Sequence, residues 1–256
     1  MAFLELNIYS QALCQNTQVN MILPEKNKKV GSGAPDGCYK TLWLLHGLSG
    51  NHTDWVRKTS IERYAAKYSL CVVMPNVSRS WYADTAYGAK YFTYVTKELP
   101  DICRSYFKGM SEKREDNIIA GLSMGGYGAI KAALFCPENY GYCASLSGSL
   151  DITRKGRECD LELWKSNFGF DLKSPDELEN TEHDLYYLTR ENKKELPKLY
   201  MWCGTEDFLI KANREYSKLL CELEIEHRFD QSEGDHTWKW WDKHIVHALE
   251  YLLGGE

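Results

Sequence analysis

The chain reads as an α/β fold, a mostly parallel sheet with helices on both faces, and three observations point there. First, short apolar runs alternate with longer amphipathic stretches after an opening pair of strand-like segments, the pattern of repeated strand–helix units. Second, Asn117 to Leu134 (NIIAGLSMGGYGAIKAAL) passes from an apolar run through a glycine-rich turn into a helix with small residues at its start. Third, four successive strand ends carry the distinctive residues: His46-Gly47, Gly121 to Gly125, Asp207 and His236. In open parallel sheets, ligands sit at the carboxyl ends of the strands.

Residues 3–9 and 17–23 read as the opening strands, and Pro24 to Gly37, rich in Lys, Asn and Gly, as a solvated loop. Thr41 to Leu45 is a buried strand that stops at His46-Gly47-Leu48-Ser49-Gly50. Asp54 is placed to cap a helix through Ile61, Tyr64 and Ala65. Leu70 to Met74 is the next buried strand, ended by Pro75. The aromatic tract Arg79 to Tyr94 leads into a helix towards Phe107. After the glycine-rich turn, Tyr142 to Leu146 is a strand ending in Ser147-Gly148-Ser149. Residues 151–195, charged and anchored by Trp164, Phe168 and Phe170, read as a helical insertion over the carboxyl edge of the sheet. Leu199 to Cys203 is a strand ending at Gly204-Thr205-Glu206-Asp207. A helix over Lys211 to Leu223 and a strand near His227 to Asp230 lead to Gly234-Asp235-His236, and the last helix runs from about Trp238 to Leu252. No repeat, linker or low-complexity tract divides residues 1–256, so one domain is expected.

Composition narrows the function. A net charge of −5 gives no pull toward nucleic acid or an anionic membrane. There is no apolar span of membrane length and no basic segment followed by an apolar one at the start. Nine cysteines form no C-x-x-C pair, and several sit in apolar runs, a usage that suits a reducing, cytoplasmic setting. No His/Cys cluster has metal-ligand spacing, and the glycines after Ser123 lack the Lys-Ser/Thr ending of a phosphate loop. No metal or cofactor is expected.

What remains is nucleophile chemistry. Gly121 to Gly125 is a Gly-x-Ser-x-Gly turn between strand and helix, the context of a nucleophile elbow with Ser123 at its tip. A serine hydroxyl needs an imidazole to accept its proton and a carboxylate to hold that imidazole in one tautomer. Of the seven histidines, His236 follows the last strand in a tight Gly-Asp-His loop and is the expected base. His244 and His247 read as a solvated helix face, and His227 as structural. Glu206 and Asp207 both follow the penultimate strand; the shorter side chain favours Asp207 as the acid, and Asp235 reads as a turn former. The oxyanion needs two donors, the backbone N–H of Met124 and one from the Gly47-Leu48 turn. The Trp238-Lys239-Trp240-Trp241 cluster either lines a substrate site or packs the last helix onto the core.

The segments NMILPE, LLHGLSGNHTDW, VMPNVSRSWYADTAYG, GLSMGGYGAIKAAL, CGTEDFL and GDHTWKWW, in this order and over nearly the whole chain, resemble the tributyrin esterase branch of the esterase D group of α/β hydrolases. That group also contains S-formylglutathione hydrolases and is related to feruloyl esterases and mycolyltransferases. The resemblance implies an α/β-hydrolase fold with Ser123 as nucleophile, Asp207 as acid and His236 as base. It implies Leu48 and Met124 as oxyanion donors, with Trp81 and Tyr82 near the acyl or alcohol pocket. Trp238 is a further expected substrate contact. The implied activity is hydrolysis of small acyl esters, and esterases of this type often assemble as homo-oligomers. S-Formylglutathione hydrolysis and acetyl or feruloyl ester hydrolysis are the alternative reactions, and an inactive binding scaffold is the alternative of another class. The His-Gly-Leu-Ser-Gly loop and the Trp-Lys-Trp-Trp tract depart from the formylglutathione hydrolase pattern, and residues 151–180 match nothing in the family.

Overall fold

A computed structural model describes residues 1–25, 38–154, 160–192 and 195–254. From residue 26 on, the loop expected at 24–37 lies outside the described residues, as do 155–159 and 193–194 of the expected insertion. Eight strands form one sheet: β1 (Ala2–Ser10), β2 (Gln15–Leu23), β3 (Thr41–Leu45), β4 (Cys71–Pro75), β5 (Asn117–Leu122), β6 (Tyr142–Leu146), β7 (Lys198–Gly204) and β8 (His227–Ser232). Their spatial order is β1-β2-β4-β3-β5-β6-β7-β8. The pairs β1–β2 and β2–β4 are antiparallel, and every other pair is parallel. The order steps outward from β3 in both directions, so the strands flanking this switch point deliver their ends to one crevice.

Strands β3, β4 and β5 are buried along their whole length, as expected where helices cover both faces. Successive side chains point to opposite sides. Trp43, Leu45 and Ile119 therefore enter one apolar cluster, while Leu42, Leu44, Ile118 and Ala120 enter the other.

The helices are α1 (Asp54–Lys58), α2 (Ile61–Lys67), α3 (Tyr91–Thr93), α4 (Leu99–Tyr106), α5 (Met124–Phe135), α6 (Leu161–Phe168), α7 (Leu185–Glu191), α8 (Ile210–Glu222) and α9 (Trp238–Leu253). A π-helical turn over Tyr94–Glu98 joins α3 to α4. The single helix expected after Asp54 is two short ones, broken at Thr59 and Ser60. Asp54 is the first residue of α1 rather than its cap, and its carboxylate pairs with Lys58 at 3.1 Å. Apart from Lys131, α5 is made of apolar, small and aromatic residues, and all its residues but Phe135 are buried, so it is the central helix packed under the sheet. α6 and α7 lie in the stretch between β6 and β7. Among the described residues no helix is long and apolar enough to cross a membrane.

Candidate active site

The Gly-x-Ser-x-Gly turn is built by steric necessity. Ser123 sits between β5 and α5 at φ 53° and ψ −117°, outside the regions a side-chain-bearing residue adopts freely. Close approach makes this geometry possible. A Cβ on Gly121 would collide with the backbone of Gly125, and one on Gly125 would stand 2.5 Å from the Leu45 carbonyl oxygen. Hydrogen bonds fix the serine backbone on both sides: its N–H donates to the Leu146 carbonyl at 3.0 Å, and its carbonyl accepts from the Ser149 N–H at 3.1 Å.

The structure brings Ser123, His236 and Asp207 together. His236 Nε2 lies 3.0 Å from Ser123 Oγ, and Nδ1 lies 2.9 Å from Asp207 Oδ2. A carboxylate only accepts, so Nδ1 carries the proton and Nε2 faces the serine hydroxyl as an acceptor. Asp207 is 2% exposed. Burial pushes its carboxyl up, yet the hydrogen bond and charge of His236, the Leu209 N–H and the Ser147 hydroxyl together hold it below the usual carboxylate value. It is therefore an anion at neutral pH.

The other acids have different work. Glu206 accepts from the Gly234 N–H at 2.6 Å, and Asp235 accepts from the Thr237 hydroxyl at 2.6 Å. Glu206 braces the loop that bears His236, and Asp235 forms the expected turn.

The turn after β3 is closed by the Gly50 N–H on the Gly47 carbonyl at 3.0 Å. Leu48 is the second residue of this turn. Met124 opens α5, so its N–H belongs to the helix's unsatisfied first turn. His46 is the strut of this loop. Its Nδ1 donates to the Gly47 carbonyl at 2.7 Å, and its Nε2 accepts from the Val77 N–H at 3.1 Å. Burial pushes its pKa down to about 4, so it is neutral and serves structure.

A cavity of about 460 Å³ opens beside Ser123, lined by Gly47 to Gly50, Asp54, Lys58, Leu122, Phe208, His236, Trp238 and Trp241. Leu48 and Trp238 are among the residues that line it. Trp81 and Tyr82 do not line it. Trp81 packs edge-on against Tyr127 and Trp164, and Tyr82, 1% exposed, donates its hydroxyl to the His46 carbonyl at 2.9 Å. Tyr82 lies under the turn rather than against a substrate, because its ring fills the space that Gly128 leaves by lacking a Cβ. His244 also departs from its expected place. It is buried and stacked on Trp202 at 3.9 Å, and His247 alone of that pair is exposed.

Phe208 was not among the expected site residues, and Trp241 entered only within the Trp238-to-Trp241 cluster, for which a substrate wall and core packing were both open. Phe208 is 75% exposed, with its ring 4.6 Å from that of His236. Trp241 meets His236 edge-on at 4.9 Å. A signal was present for Trp241: a helix starting at Trp238 puts residue i+3 on the same face. Phe208 had only its position beside Asp207.

Residues 10–252 match the Esterase family, described as "Putative esterase". The chain is 34% identical to an acetyl esterase of Caldicellulosiruptor saccharolyticus, with 98% of each chain covered. Among solved structures it is similar to the fluorophosphonate-binding serine hydrolase F of Staphylococcus aureus, at TM-score 0.87 and 36% identity over 98% of each chain. An S-formylglutathione hydrolase of Staphylococcus aureus gives TM-score 0.86 at 36% identity, again over 98% of each. A ferulic acid esterase at 20% identity and TM-score 0.82 shares the fold.

Proposed function

The chain belongs to the Esterase family of α/β hydrolases and is a serine carboxylic ester hydrolase, and from that premise we propose that it cleaves short-chain acyl esters through an acyl-enzyme on Ser123. The observation that carries this reading is the position of His236, hydrogen-bonded to Ser123 on one nitrogen and to Asp207 on the other.

In the proposed cycle Ser123 Oγ attacks the ester carbonyl carbon while His236 Nε2 takes the hydroxyl proton. Asp207 stabilises the imidazolium and holds its orientation. The oxyanion of the tetrahedral intermediate accepts from the N–H groups of Leu48 and Met124, each such donor being worth about 10²–10³ in turnover. His236 then returns the proton to the departing alkoxide, leaving the acyl group on Ser123. Water enters, loses a proton to His236 and attacks the acyl carbon; collapse releases the acid and restores the serine.

The likeness to an acetyl esterase supports the short-chain reading; in the cavity wall Trp238 meets Trp55 and Trp241 edge-on at 5.1 and 5.3 Å. Buried thiols at Cys71, Cys103, Cys143 and Cys203 support a reducing compartment such as the cytoplasm. The likeness to an S-formylglutathione hydrolase favours a second reading, thioester hydrolysis at the same serine. Steady-state assays with p-nitrophenyl acetate, p-nitrophenyl butyrate and S-formylglutathione test both, with Ser123→Ala alongside. The ester reading expects the acetate and butyrate to have the higher kcat/KM. Turnover no greater than that of the mutant would overturn it.

A further inference from the structure

The cavity beside Ser123 has two oppositely charged side chains in its lining, Asp54 and Lys58. They lie one turn apart on α1, with Lys58 Nζ 3.1 Å from Asp54 Oδ2. The two are not equally presented. The Asp54 side chain is 9% exposed and that of Lys58 39%. The carboxylate is packed inward against the turn after β3, where a Cβ on Gly50 would stand 2.5 Å from its Oδ2. The pair therefore shows its positive end to a ligand. An ammonium has three N–H donors, and the ion pair with Asp54 leaves donors for a second acceptor.

A wall of aromatic rings connects this cation to the reacting centre. Lys58 Nζ lies 4.9 Å over the Trp238 ring, a contact that favours the ammonium there. Trp238 meets Trp241 edge-on at 5.3 Å, and Trp241 meets His236 edge-on at 4.9 Å. All four side chains line the same cavity. A partly exposed ion pair across one helical turn adds little to stability. Its consequence is electrostatic: a cation held at one end of the wall whose other end is the base.

The acyl groups proposed above are short, so most of a cavity of about 460 Å³ is left for the alcohol half of the substrate. We propose that Lys58 is a specificity-determining residue whose ammonium receives a carboxylate carried by the leaving alcohol. The favoured substrates are then short acyl esters formed on the hydroxyl of a hydroxy acid. The inference rests on the short-chain ester reading above.

The test uses the O-acetyl esters of 3-hydroxybenzoate and of 3-(3-hydroxyphenyl)propionate, each beside its own uncharged methyl ester. The readout is the ratio of kcat/KM for the anionic ester to that for its neutral partner. Taking the ratio in each variant cancels both intrinsic reactivity and any general loss of activity. For at least one of the two pairs, the ratio is expected to fall about three- to tenfold in Lys58→Met, mainly through KM, and further in Lys58→Glu. Lys58→Arg keeps most of the wild-type ratio. In the wild type the ratio should also fall in about 1 M salt, where the screening length is about 3 Å. This salt dependence needs no variant, so it carries the test should the substitutions unfold the protein. Ratios unchanged or raised in Lys58→Met for both pairs, or wild-type ratios indifferent to salt, would overturn the proposal. Wild-type protein that cleaves neither the neutral nor the anionic esters would instead sink the ester reading, so the two failures are distinct.

Discussion

Glu206 and Gly234 hold each other in a two-way clasp: the Glu206 carboxylate accepts from the Gly234 N–H at 2.6 Å, and the Glu206 N–H donates to the Gly234 carbonyl at 3.0 Å. The contact joins the end of β7, which carries Asp207, to the loop that carries His236. It requires glycine twice. Gly234 adopts φ 154°, and a Cβ on Gly204 would collide with the Gly234 carbonyl.

Glu206→Ala is expected to lower kcat about three- to tenfold while changing KM less than twofold, because the loop loses one anchor while the cavity walls stay in place. The Gly234 N–H, followed by the Thr205 hydroxyl, holds the Glu206 carboxyl below its ordinary value. A carboxyl depressed in the folded state stabilises the fold above its unfolded pKa and loses that contribution as pH falls through the folded value. The difference in melting temperature between wild type and Glu206→Ala is therefore expected at pH 7 and should fade below about pH 4. Calorimetry at the two pH values checks it.

Tyr82→Phe removes the hydroxyl that donates to the His46 carbonyl and leaves the ring against Gly128. A buried acceptor without its donor costs about 1–3 kcal/mol. The loop that presents Leu48 loosens with it. A fall of about 3–10-fold in kcat, accompanied by a lower urea midpoint, is the expected pair of results. An altered KM with unchanged kcat would return Tyr82 to the substrate pocket where the family resemblance placed it.

The contrast between Tyr82 and Ser123 shows what the sequence could disclose. Ser123, Asp207 and His236 each follow a strand that is legible from its apolar run, and parallel topology sends such strand ends to one crevice. Convergence there could be argued from order alone. Tyr82 belongs to an irregular tract in which Ser78, Trp81 and Tyr82 all have positive φ. No periodicity predicts which way such a side chain points. His244 failed for a related reason: helical spacing shows that it shares a face with His247 but not that Trp202 covers it. The break between α1 and α2 was hidden because Thr59 and Ser60 are weak helix breakers whose effect depends on tertiary contacts. Among these, Asp242 accepts from the Ser60 N–H at 2.9 Å.

Lys131 is fully enclosed in α5, with its ammonium 4.8 Å above the Phe92 ring and 3.2 Å from His183 Nδ1. Burial pushes its pKa down to about 8, and that of His183 to about 3. Lys131→Met is expected to stabilise the fold by about 1–3 kcal/mol at pH 7, where the native protein must carry a buried charge. Between about pH 8 and 10.5 the unfolded lysine keeps the proton that the native one has released, so wild-type stability rises with pH and the advantage of the variant shrinks. Urea unfolding at pH 7 and pH 10 measures both values.

Phe208 stands in solvent beside His236, and its removal should cost binding rather than chemistry. Phe208→Ala is expected to raise KM for p-nitrophenyl esters about two- to fivefold with kcat nearly unchanged, as expected for the loss of one aromatic contact. A fall in kcat at constant KM would mean that the ring orients the imidazole instead.

The central claim is that one hydroxyl, Ser123 Oγ, carries the acyl group. Intact-protein mass spectrometry after exposure to a fluorophosphonate tests it directly, with peptide mapping to locate the adduct. The account predicts a single phosphonyl adduct on Ser123, near-complete loss of labelling in Ser123→Ala, and labelling slowed at least a hundredfold in His236→Ala. An unlabelled wild-type protein, or an adduct on any other residue, would contradict it.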